Sequence, residues 1–331
     1  MIEQPMTLKL FDNDLSNILI EKEYPDPFLY LEGGIMESTT YLKHPIGKGE
    51  YKEIYFEGVH IGFGSASLSD RILLHFESDF ETIEMHFALK GKSTAMSETF
   101  NKSISFEAHH HNIIYANGMC GKMQWECGDF QLCEINLSPK FFKKFLPQDS
   151  ALFDEFRNVI EKGNSGLLSN YNSHISHQMY QIIDEIMNCN RQGIFKRMFL
   201  EAKVIELLLL QFEQFSDPLI FNTTLRRSDV DKVYAVREFI LGNLTSACSL
   251  IDLAHKVGTN EFTLKKGFKE LFGTSVFAFW NDTKMEEAKL LLTEQNMNIT
   301  EVSYAIGYKN QRHFSTAFKK KYGILPSQLK K

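Results

Sequence analysis

The chain has 331 residues, of which 43% are hydrophobic and 24% are charged. This composition is typical of a globular protein with two or three domains, and it excludes an intrinsically disordered chain. The first residues lack the basic start and apolar run of a secretory signal, and no segment is apolar over the length of a membrane span. We therefore expect a cytoplasmic protein without a membrane partner.

The net charge of −6 at pH 7 is divided unequally along the chain. Residues 228–331 contain 15 lysines and arginines against 11 aspartates and glutamates, a net charge of +4, which leaves −10 for residues 1–227. Halves of opposite charge indicate different binding partners. A charge of +4 is weak evidence for nucleic acid by itself, so the sequence motifs must decide.

The cysteines do not form a recognisable disulfide or metal pattern. They are odd in number and include no Cys-x-x-Cys pair, which argues against a disulfide framework and against a structural zinc site. We interpret them as buried reduced thiols. The five cysteines are Cys120, Cys127, Cys133, Cys189 and Cys248.

Residues 50–137 have the alternation and turn signals of roughly eight short strands. Strands joined by glycine-containing turns predict a small cupin-like β-barrel or two-sheet sandwich over residues 1–140, which we interpret as an effector-sensing domain. The clearest strand runs from Thr82 to Lys90. It alternates Ile83, Met85, Phe87 and Leu89 on one face with Glu84, His86 and Lys90 on the other.

After Pro139 the apolar period changes to about 3.6 residues, which predicts a helical region over residues 141–215. Its last helix, 195–215, is apolar over most of its circumference. Such a helix needs cover on several sides, so it serves as core, as a dimer seam, or as both. Residues 216–228 include Pro218 and several polar residues, and we interpret them as an interdomain linker.

The C-terminal region contains an internal repeat. The first copy runs from Ser249 to Gly273 and the second from Asn298 to Gly323. In each copy a short amphipathic helix ends at a glycine, Gly258 or Gly307, which can adopt positive φ and reverse the chain. A second helix with apolar residues at every fourth position follows. Two such copies in register predict a pair of helix-turn-helix motifs.

The second helix of each copy has one apolar and one polar face. Leu264 and Phe268 in the first copy, and Phe314 and Phe318 in the second, are expected to pack against the preceding helix. The polar faces carry groups that contact phosphates and base edges. The candidate DNA-binding residues are Asn260, Glu261, Phe262, Thr263, Lys265, Lys266, Lys269, Gln311, Arg312, His313, Ser315, Thr316, Lys319 and Lys320.

The region 229–331 resembles the DNA-binding domain of the AraC/XylS family. The resemblance rests on DVDKVYAVREFILGNL, the paired motifs, the EEAKLLL of the connecting helix, NITEVSYAIGY and the closing GILPSQLKK. It implies that two recognition helices enter successive major grooves, about 34 Å apart on one face of the duplex. The implied partners are double-stranded DNA, RNA polymerase and a second copy of the chain.

The segments KKGFKELFGTSVFAFW and GIFKRMFLEAKVIELLLLQFEQF resemble a narrower, pyochelin-regulator branch of this family, which responds to ferric siderophores. This resemblance implies an activator of siderophore or iron uptake genes, with a ferric siderophore or another small organic molecule as effector and no resident cofactor. Aromatic residues of the strand region suit such a ligand. They are Tyr55, Phe56, Phe63, Phe76, Phe87, Phe106, Tyr115 and Trp125.

Metal and catalytic motifs are weak. His109, His110 and His111 lack a following carboxylate and a second histidine motif, so we interpret them as a polar turn before the next strand and expect no metal site. We interpret His86 as a surface or cavity-lining residue. The sequence has no Gly-rich phosphate loop, Ser/His/Asp motif or paired-carboxylate signature, so we expect no catalytic residues and no enzyme.

These observations predict an α+β protein: an N-terminal β-barrel or sandwich, a central helical dimerisation segment and a C-terminal all-α domain with two helix-turn-helix motifs. The predicted function is sequence-specific regulation of transcription in response to a ligand. Two alternatives stay open. One is a cupin-like metal-dependent enzyme fused to a DNA-binding domain, and the other is a regulator whose N-terminal domain mediates only protein contacts.

Overall fold

In the computed structural model the chain forms two compact units, Met1–Phe221 and Asn222–Lys331. The residues that the structure describes are 6–11, 18–24, 34–97, 103–148, 150–216, 225, 227–246, 248–293 and 297–329. Most of the predicted linker 216–228 lies outside them. No helix in this described part of the chain has the length and apolar character needed to cross a membrane.

The first unit is built on antiparallel strands. Along the sheet the order is β3-β4-β5-β10-β6-β9-β7-β8, with β1 beside β6, β2 beside β1, and β11 and β12 beside β9. The strands are β1 (Met6–Phe11), β2 (Ile18–Tyr24), β3 (Met36–His44), β4 (Gly47–Phe56), β5 (Val59–Leu68), β6 (Ile72–Lys90), β7 (Lys92–Ser97), β8 (Ile104–Glu107), β9 (His110–Trp125), β10 (Gly128–Leu137), β11 (Gly166–Leu167) and β12 (Ser173–His174).

Strands β6 and β9 are long and continue from one half of this sheet into the other, and the two halves form the two sheets of a sandwich. The C-terminal half of β6 pairs with β10, whereas its N-terminal half pairs with β1, and the register against β9 shifts between Ser78 and Glu81. A shift of this kind bends the strands, so the two halves fold over each other as a sandwich. The sandwich prediction is confirmed. The barrel prediction is wrong, because the order of the described strands does not close.

The prediction of separate short strands is also wrong at two places. The alternation and turn signals predict RILLHFES and TIEMHFALKG as two strands, but they form one strand, β6; NIIYANG and KMQWECG, likewise predicted as two, form one strand, β9. The structure adds strands before residue 50, where none was predicted.

The alternation predicted for Thr82–Lys90 is present. Ile83, Met85 and Phe87 are fully buried in the main hydrophobic core, which lies between one sheet and the helices. Glu84 and His86 point from the other face of the strand into a cavity between the two sheets. The polar face therefore lines an interior space, which the alternation alone could not distinguish from the protein surface.

Four helices cover the core face of this sheet. They are α1 (Pro139–Phe142), α2 (Ala151–Glu161), α3 (His177–Met187) and α4 (Gly193–Ser216). Helix α4 places Leu200, Val204, Leu207 and Leu208 in the core. Its apolar character is therefore explained in part by packing within the unit.

A buried histidine joins the sheet to α4. His111 on β9 lies with its Nε2 atom 2.7 Å from Gln214 Oε1, and Gln211 Nε2 lies 2.8 Å from its Nδ1 atom. Both ring nitrogens are satisfied when Nε2 donates and Nδ1 accepts, which is the neutral imidazole. Burial lowers the pKa of His111 to about 4.

The second unit contains seven helices in its described residues. Helices α5 (Arg227–Gly242), α6 (Leu250–Lys256) and α7 (Glu261–Phe272) form the first half, and α8 (Val276–Thr293) leads to α9 (Ile299–Ala305), α10 (Gln311–Tyr322) and α11 (Pro326–Leu329). The internal repeat of the sequence is also present in the N-terminal caps of these helices. Ser249 with Asp252, and Asn298 with Glu301, form capping boxes that begin α6 and α9.

The turns between the paired helices depend on glycine. Gly258 after α6 has φ of 69° and Gly307 after α9 has φ of 81°, as the repeat predicts. A Cβ atom added to Gly307 would also lie 2.8 Å from the Thr245 backbone. Helices α7 and α10 begin immediately after these turns, with Asn260 and Asn310 as their N-caps.

The link between β9 and α4 predicts a pH-dependent stability. Between the folded pKa of about 4 and the ordinary value of 6.5, the unfolded chain binds more protons at residue 111 than the folded chain does. The free energy of unfolding should therefore be largest above pH 6.5 and fall by up to about 3 kcal/mol as the pH drops to 4. Urea unfolding of the full chain across this range measures the slope.

A His111→Gln variant should reduce this slope, because an amide does not titrate. The matched control is His75→Gln, on β6 outside the core. An unchanged slope in His111→Gln would contradict the assignment of a neutral, buried imidazole.

Candidate nucleic-acid interface and effector cavity

The two candidate recognition helices bury the faces that the repeat predicts. Leu264 and Phe268 in α7 are fully buried, as are Phe314 and Phe318 in α10. The rings of Phe314 and Phe318 pack 5.6 Å apart, and those of Phe268 and Phe272 pack 4.6 Å apart. The opposite faces of both helices are therefore held outward by well-packed cores.

Several candidate residues of α7 already have partners within the helix. Asn260 accepts the backbone N–H of Thr263 at 2.8 Å, and Lys269 Nζ donates to the carbonyl of Gly273 at 2.8 Å. Glu261 forms an ion pair with Lys265, and Lys266 Nζ lies 3.9 Å from Glu270 Oε1. Phe262 is the most exposed large apolar side chain here, at 74%.

Helix α10 is more strongly basic. It has no acidic residue, and four of its residues, Arg312 and Lys319 to Lys321, are cationic. Within the described part of the chain, the side chains of Arg312, His313, Lys319 and Lys320 are exposed and make no hydrogen bond or ion pair. Unpaired cations on one helix face attract phosphates without first breaking an internal contact.

The remaining candidates of α10 have local contacts. Gln311 Oε1 accepts the Thr300 hydroxyl at 3.0 Å, and the Thr316 hydroxyl donates to the Arg312 carbonyl at 2.9 Å. Ser315 is half-buried on the same helix. Of the two helices, α10 therefore presents the larger set of available groups.

The cavity of the first unit has a volume of about 310 Å³. Its apolar wall comes mainly from the sheet that contains β1 and β7, and its polar wall comes from β4, β5, β6 and β10. The apolar wall includes Leu10, Phe76, Met119, Met123, Trp125 and Phe130. The polar wall includes Tyr51, His60, Glu84, His86, Glu134 and Asn136.

The polar wall is a connected set of acids and their partners. His86 Nδ1 lies 2.7 Å from Glu84 Oε1, and the Tyr51 hydroxyl donates to Glu134. Gly62 leaves room for the Tyr51 ring, since an added Cβ would lie 2.8 Å from its Cζ atom. Burial and the neighbouring charge of Glu84 raise the pKa of the Glu134 carboxyl.

A second set of connected polar side chains includes His60, Asn136 and Glu53. The Nδ1 atom of His60 is 3.2 Å from Asn136 Nδ2 and its Nε2 atom is 3.4 Å from Glu53 Oε1. Glu53 is fully buried and also accepts the hydroxyls of Tyr55 at 2.6 Å and Ser38 at 3.0 Å. Glu53 is therefore a satisfied structural carboxylate, whereas Glu84 and Glu134 border the open space.

The predicted aromatic residues divide between cavity and core. Tyr55, Phe56, Phe76, Phe106 and Trp125 line the cavity. The other three, Phe63, Phe87 and Tyr115, pack in the core against the helices. The sequence pattern did not identify Tyr51 or Glu134, because their approach to His86 depends on the pairing of distant strands.

Two interpretations of the sequence are wrong. Of the three histidines assigned to a polar turn, only His109 lies in one, with φ of 68°, whereas His110 and His111 begin β9 and are buried. Of the cysteines, which were expected to be buried, only Cys133 is, and burial raises its pKa well above the usual range. Cys120, within β9, and Cys127, in the turn between β9 and β10, are exposed.

Comparisons with known proteins agree with the division into two units. Residues 64–221 match the family described as the regulatory protein PchR N-terminal domain, and residues 253–331 match a helix-turn-helix domain family. The regulatory protein PchR of Pseudomonas aeruginosa is 33% identical over 123 residues, which are 37% of this chain and 42% of PchR. The chain thus combines a PchR-type N-terminal domain with an AraC-type helix-turn-helix domain, which are domains of DNA-binding transcriptional regulators.

Other proteins resemble larger or smaller parts of this chain. The virulence regulon transcriptional activator VirF of Yersinia enterocolitica is 23% identical over 231 residues, 69% of this chain and 83% of VirF. Among solved structures, the C-terminal domain of the response regulator yesN from Fusobacterium nucleatum is 27% identical, with a TM-score of 0.29, and covers 30% of this chain and 99% of that domain. Unsaturated fatty acid bound ToxT from Vibrio cholerae is 16% identical, with a TM-score of 0.30, over 76% of this chain and 87% of ToxT.

Removing the exposed charge of α10 should weaken DNA binding. Arg312→Ala should cost about 1 to 3 kcal/mol and relax base preference at one position if the guanidinium contacts a base edge. Lys319→Ala and Lys320→Ala should instead weaken binding to all sequences and each reduce the salt slope by about one. Fluorescence anisotropy on a duplex selected from a random pool measures both effects.

The matched control is Lys140→Ala, which removes an exposed positive charge from α1 in the first unit. Unchanged binding in all three α10 variants would contradict the placement of this helix at the DNA.

Proposed function

We propose that this regulator binds duplex DNA through α7 and α10, senses a small organic effector in the cavity of its first unit, and activates transcription as a homodimer through RNA polymerase. The observation that carries this proposal is that the second unit contains two helix-turn-helix motifs and the first unit contains an aromatic and acidic cavity. A cavity of about 310 Å³ with a few polar groups is suited to a small ligand.

The walls of the cavity indicate the chemical class of the effector. Aromatic side chains on one wall favour a flat or partly apolar molecule. Five glutamates and two histidines border the space, and no lysine or arginine is among the described residues that line it. The cavity therefore favours a neutral or cationic molecule, and we propose a metal chelate of the ferric siderophore class, with iron uptake genes as targets.

Strand β6 connects the cavity to α4. His86 faces the cavity and its neighbour Phe87 faces the core, where the Phe87 ring lies 5.5 Å from that of His111. His111 in turn contacts Gln211 and Gln214 of α4. A ligand that moves β6 would thus act on α4 through packed and hydrogen-bonded groups.

The outer face of α4 supports the proposed dimer. Phe195, Met198, Ala202, Ile205 and Leu209 are spaced alternately by three and four residues, which is the spacing of a helix–helix seam. Three of them are strongly exposed: Phe195 at 72%, Met198 at 62% and Leu209 at 53%. We call this set the α4 seam and propose that it packs against the same seam of a second copy.

A charge in the α4 seam should separate the dimer. Leu209→Asp should give monomers in sedimentation velocity at concentrations where the unaltered protein is dimeric, because burying an unpaired carboxylate in an apolar interface is costly. The neighbouring Leu208 is 1% exposed in the core, so aspartate there should unfold the unit.

Met187→Asp is the control for this experiment. Met187 on α3 is 52% exposed, which matches Leu209, but it lies outside the seam. If folded Leu209→Asp and Met198→Asp variants both remain dimeric, the seam is not the interface.

The effector proposal is tested by titrating the full chain with ferric pyochelin, iron-free pyochelin and a simple sugar. A ligand at a hundred times its dissociation constant should add about 2.7 kcal/mol to the stability of the folded state. Trp125 lines the cavity, so its fluorescence should change on binding. Stabilisation by the sugar and not by either form of pyochelin would contradict the chelate class.

The relatives are transcription regulators, and we propose no catalytic activity for the cavity. The alternative of an N-terminal unit that makes only protein contacts is disfavoured by the open interior, since a collapsed core would leave no such space.

A further inference from the structure

The polar wall of the cavity contains a buried histidine nitrogen without a partner. His86 is only 9% exposed, and its Nδ1 atom is held by Glu84 Oε1 at 2.7 Å. Its Nε2 atom is buried and has no hydrogen-bond partner among the described residues. Because Nδ1 is the ring nitrogen next to Glu84, an ion shared by these two side chains would bind the Nδ1 lone pair of the tautomer that carries its proton on Nε2.

Two carboxylates lie beside this imidazole. One donor atom from each of Glu84, His86 and Glu134 lies within 4.8 Å of the other two. Donor atoms that share one metal ion at ordinary bond lengths are about 3.3 Å apart. Side-chain rotations that move the donor atoms by about an ångström would therefore bring all three within bonding distance of one ion.

The charges at this wall are not balanced from within the protein. Glu57, which also borders the cavity, has an ion pair with Arg197 at 2.7 Å. In contrast, neither lysine nor arginine contacts Glu84 or Glu134 in the described part of the chain, and Glu134 has the Tyr51 hydroxyl as its donor. Two neighbouring half-buried carboxylates and a buried imidazole with one unpartnered nitrogen favour a cation.

We propose that Glu84, His86 and Glu134 bind a divalent transition-metal ion at the polar wall of the cavity. One nitrogen and two carboxylate ligands suit ions such as Mn²⁺, Fe²⁺ or Zn²⁺ and leave positions open toward the apolar wall. The sequence analysis expected no metal site, because it interpreted His109 to His111, which are not part of this cluster, as a polar turn and His86 as a surface or cavity-lining residue. The inference deepens the proposed effector site and does not require that the effector be a siderophore.

The open positions give the metal a function in recognition. A ligand that enters the cavity could place its own oxygen or nitrogen donors on the ion while its rings pack against Phe106, whose ring lies 4.1 Å from that of His86. The protein would then distinguish chelating ligands from apolar molecules of the same size.

The test is metal binding by the full chain after chelator treatment and dialysis. Mn²⁺ and Zn²⁺ are titrated separately, and bound metal is measured by calorimetry and elemental analysis. The unaltered protein should bind one ion per chain and unfold at a higher temperature when it does. His86→Gln and Glu134→Gln should each weaken binding by at least about tenfold, since even loss of a supporting contact behind a metal ligand has that effect.

The Glu134→Gln variant tests whether Glu134 binds the metal or only stabilises the fold. The substitution keeps size and leaves an oxygen to accept the Tyr51 hydroxyl, but it removes a buried charge beside Glu84. The metal-free variant should therefore be at least as stable as the metal-free unaltered protein, and it should lose the stabilisation by metal. His75→Gln and Glu77→Gln, on the same strand but outside the cavity lining, should bind metal as the unaltered protein does.

Retention of metal binding in both His86→Gln and Glu134→Gln, or no binding by the unaltered protein, would overturn the inference. The outcome is independent of the effector proposal. Binding of ferric pyochelin without binding of free metal would leave the proposed function standing and remove the metal site. Binding of free metal without binding of any chelate would support the metal site and contradict the proposed chelate effector.

Discussion

The alternation of side chains along β6, β9 and β10 is the constraint on which the first unit depends. In each strand one set of residues enters the core against the helices, and the residues between them line the cavity. On β6 these are Met85 and His86, and on β10 they are Ile135 and Glu134. A slip of one residue in register would place carboxylates in the core and apolar side chains in the cavity, so the hydrophobic effect that fixes the core also fixes the polar wall.

The same constraint would connect the proposed ligand binding to the proposed dimer. Because a single strand contacts the cavity on one face and the helices on the other, a change at His86 reaches Phe87 and His111 without crossing a flexible loop. Helix α4 receives that contact on its buried face and carries the α4 seam on its outer face. The apolar character of α4 in the sequence thus has two causes, core packing and an exposed seam.

Charge is distributed to match the two proposed ligands. The cavity is bordered by glutamates, whereas α10 has cations and no acidic residue. The opposite charges of the two parts of the sequence therefore belong to specific surfaces. An acidic cavity does not favour an anionic effector, and an unpaired basic helix favours the phosphate backbone.

The sequence predicts the second unit better than the first. Leu264 and Phe268, the caps and the turn glycines are set by local spacing, and a repeat shows that spacing twice. The first unit depends on contacts between residues far apart in sequence. Alternation identified His86 on a polar face, but its approach to Glu134 follows from the pairing of β6 with β10, which no local pattern encodes.

Periodicity likewise could not separate Leu208 from Leu209, although one lies in the core and the other in the α4 seam. The difference of one position is set by how the helix is rotated on the sheet. Long strands were divided in the prediction because the bend near Ser78 carries polar residues that resemble a turn.

Hydrogen exchange of the full chain, with and without ferric pyochelin, tests the central claim most directly. If a ligand in the cavity acts on α4 through β6 and β9, exchange should slow in β6, in β9 and in residues 200–215 of α4. Slower exchange in the cavity strands with no change in α4, or protection only in the second unit, would contradict the account.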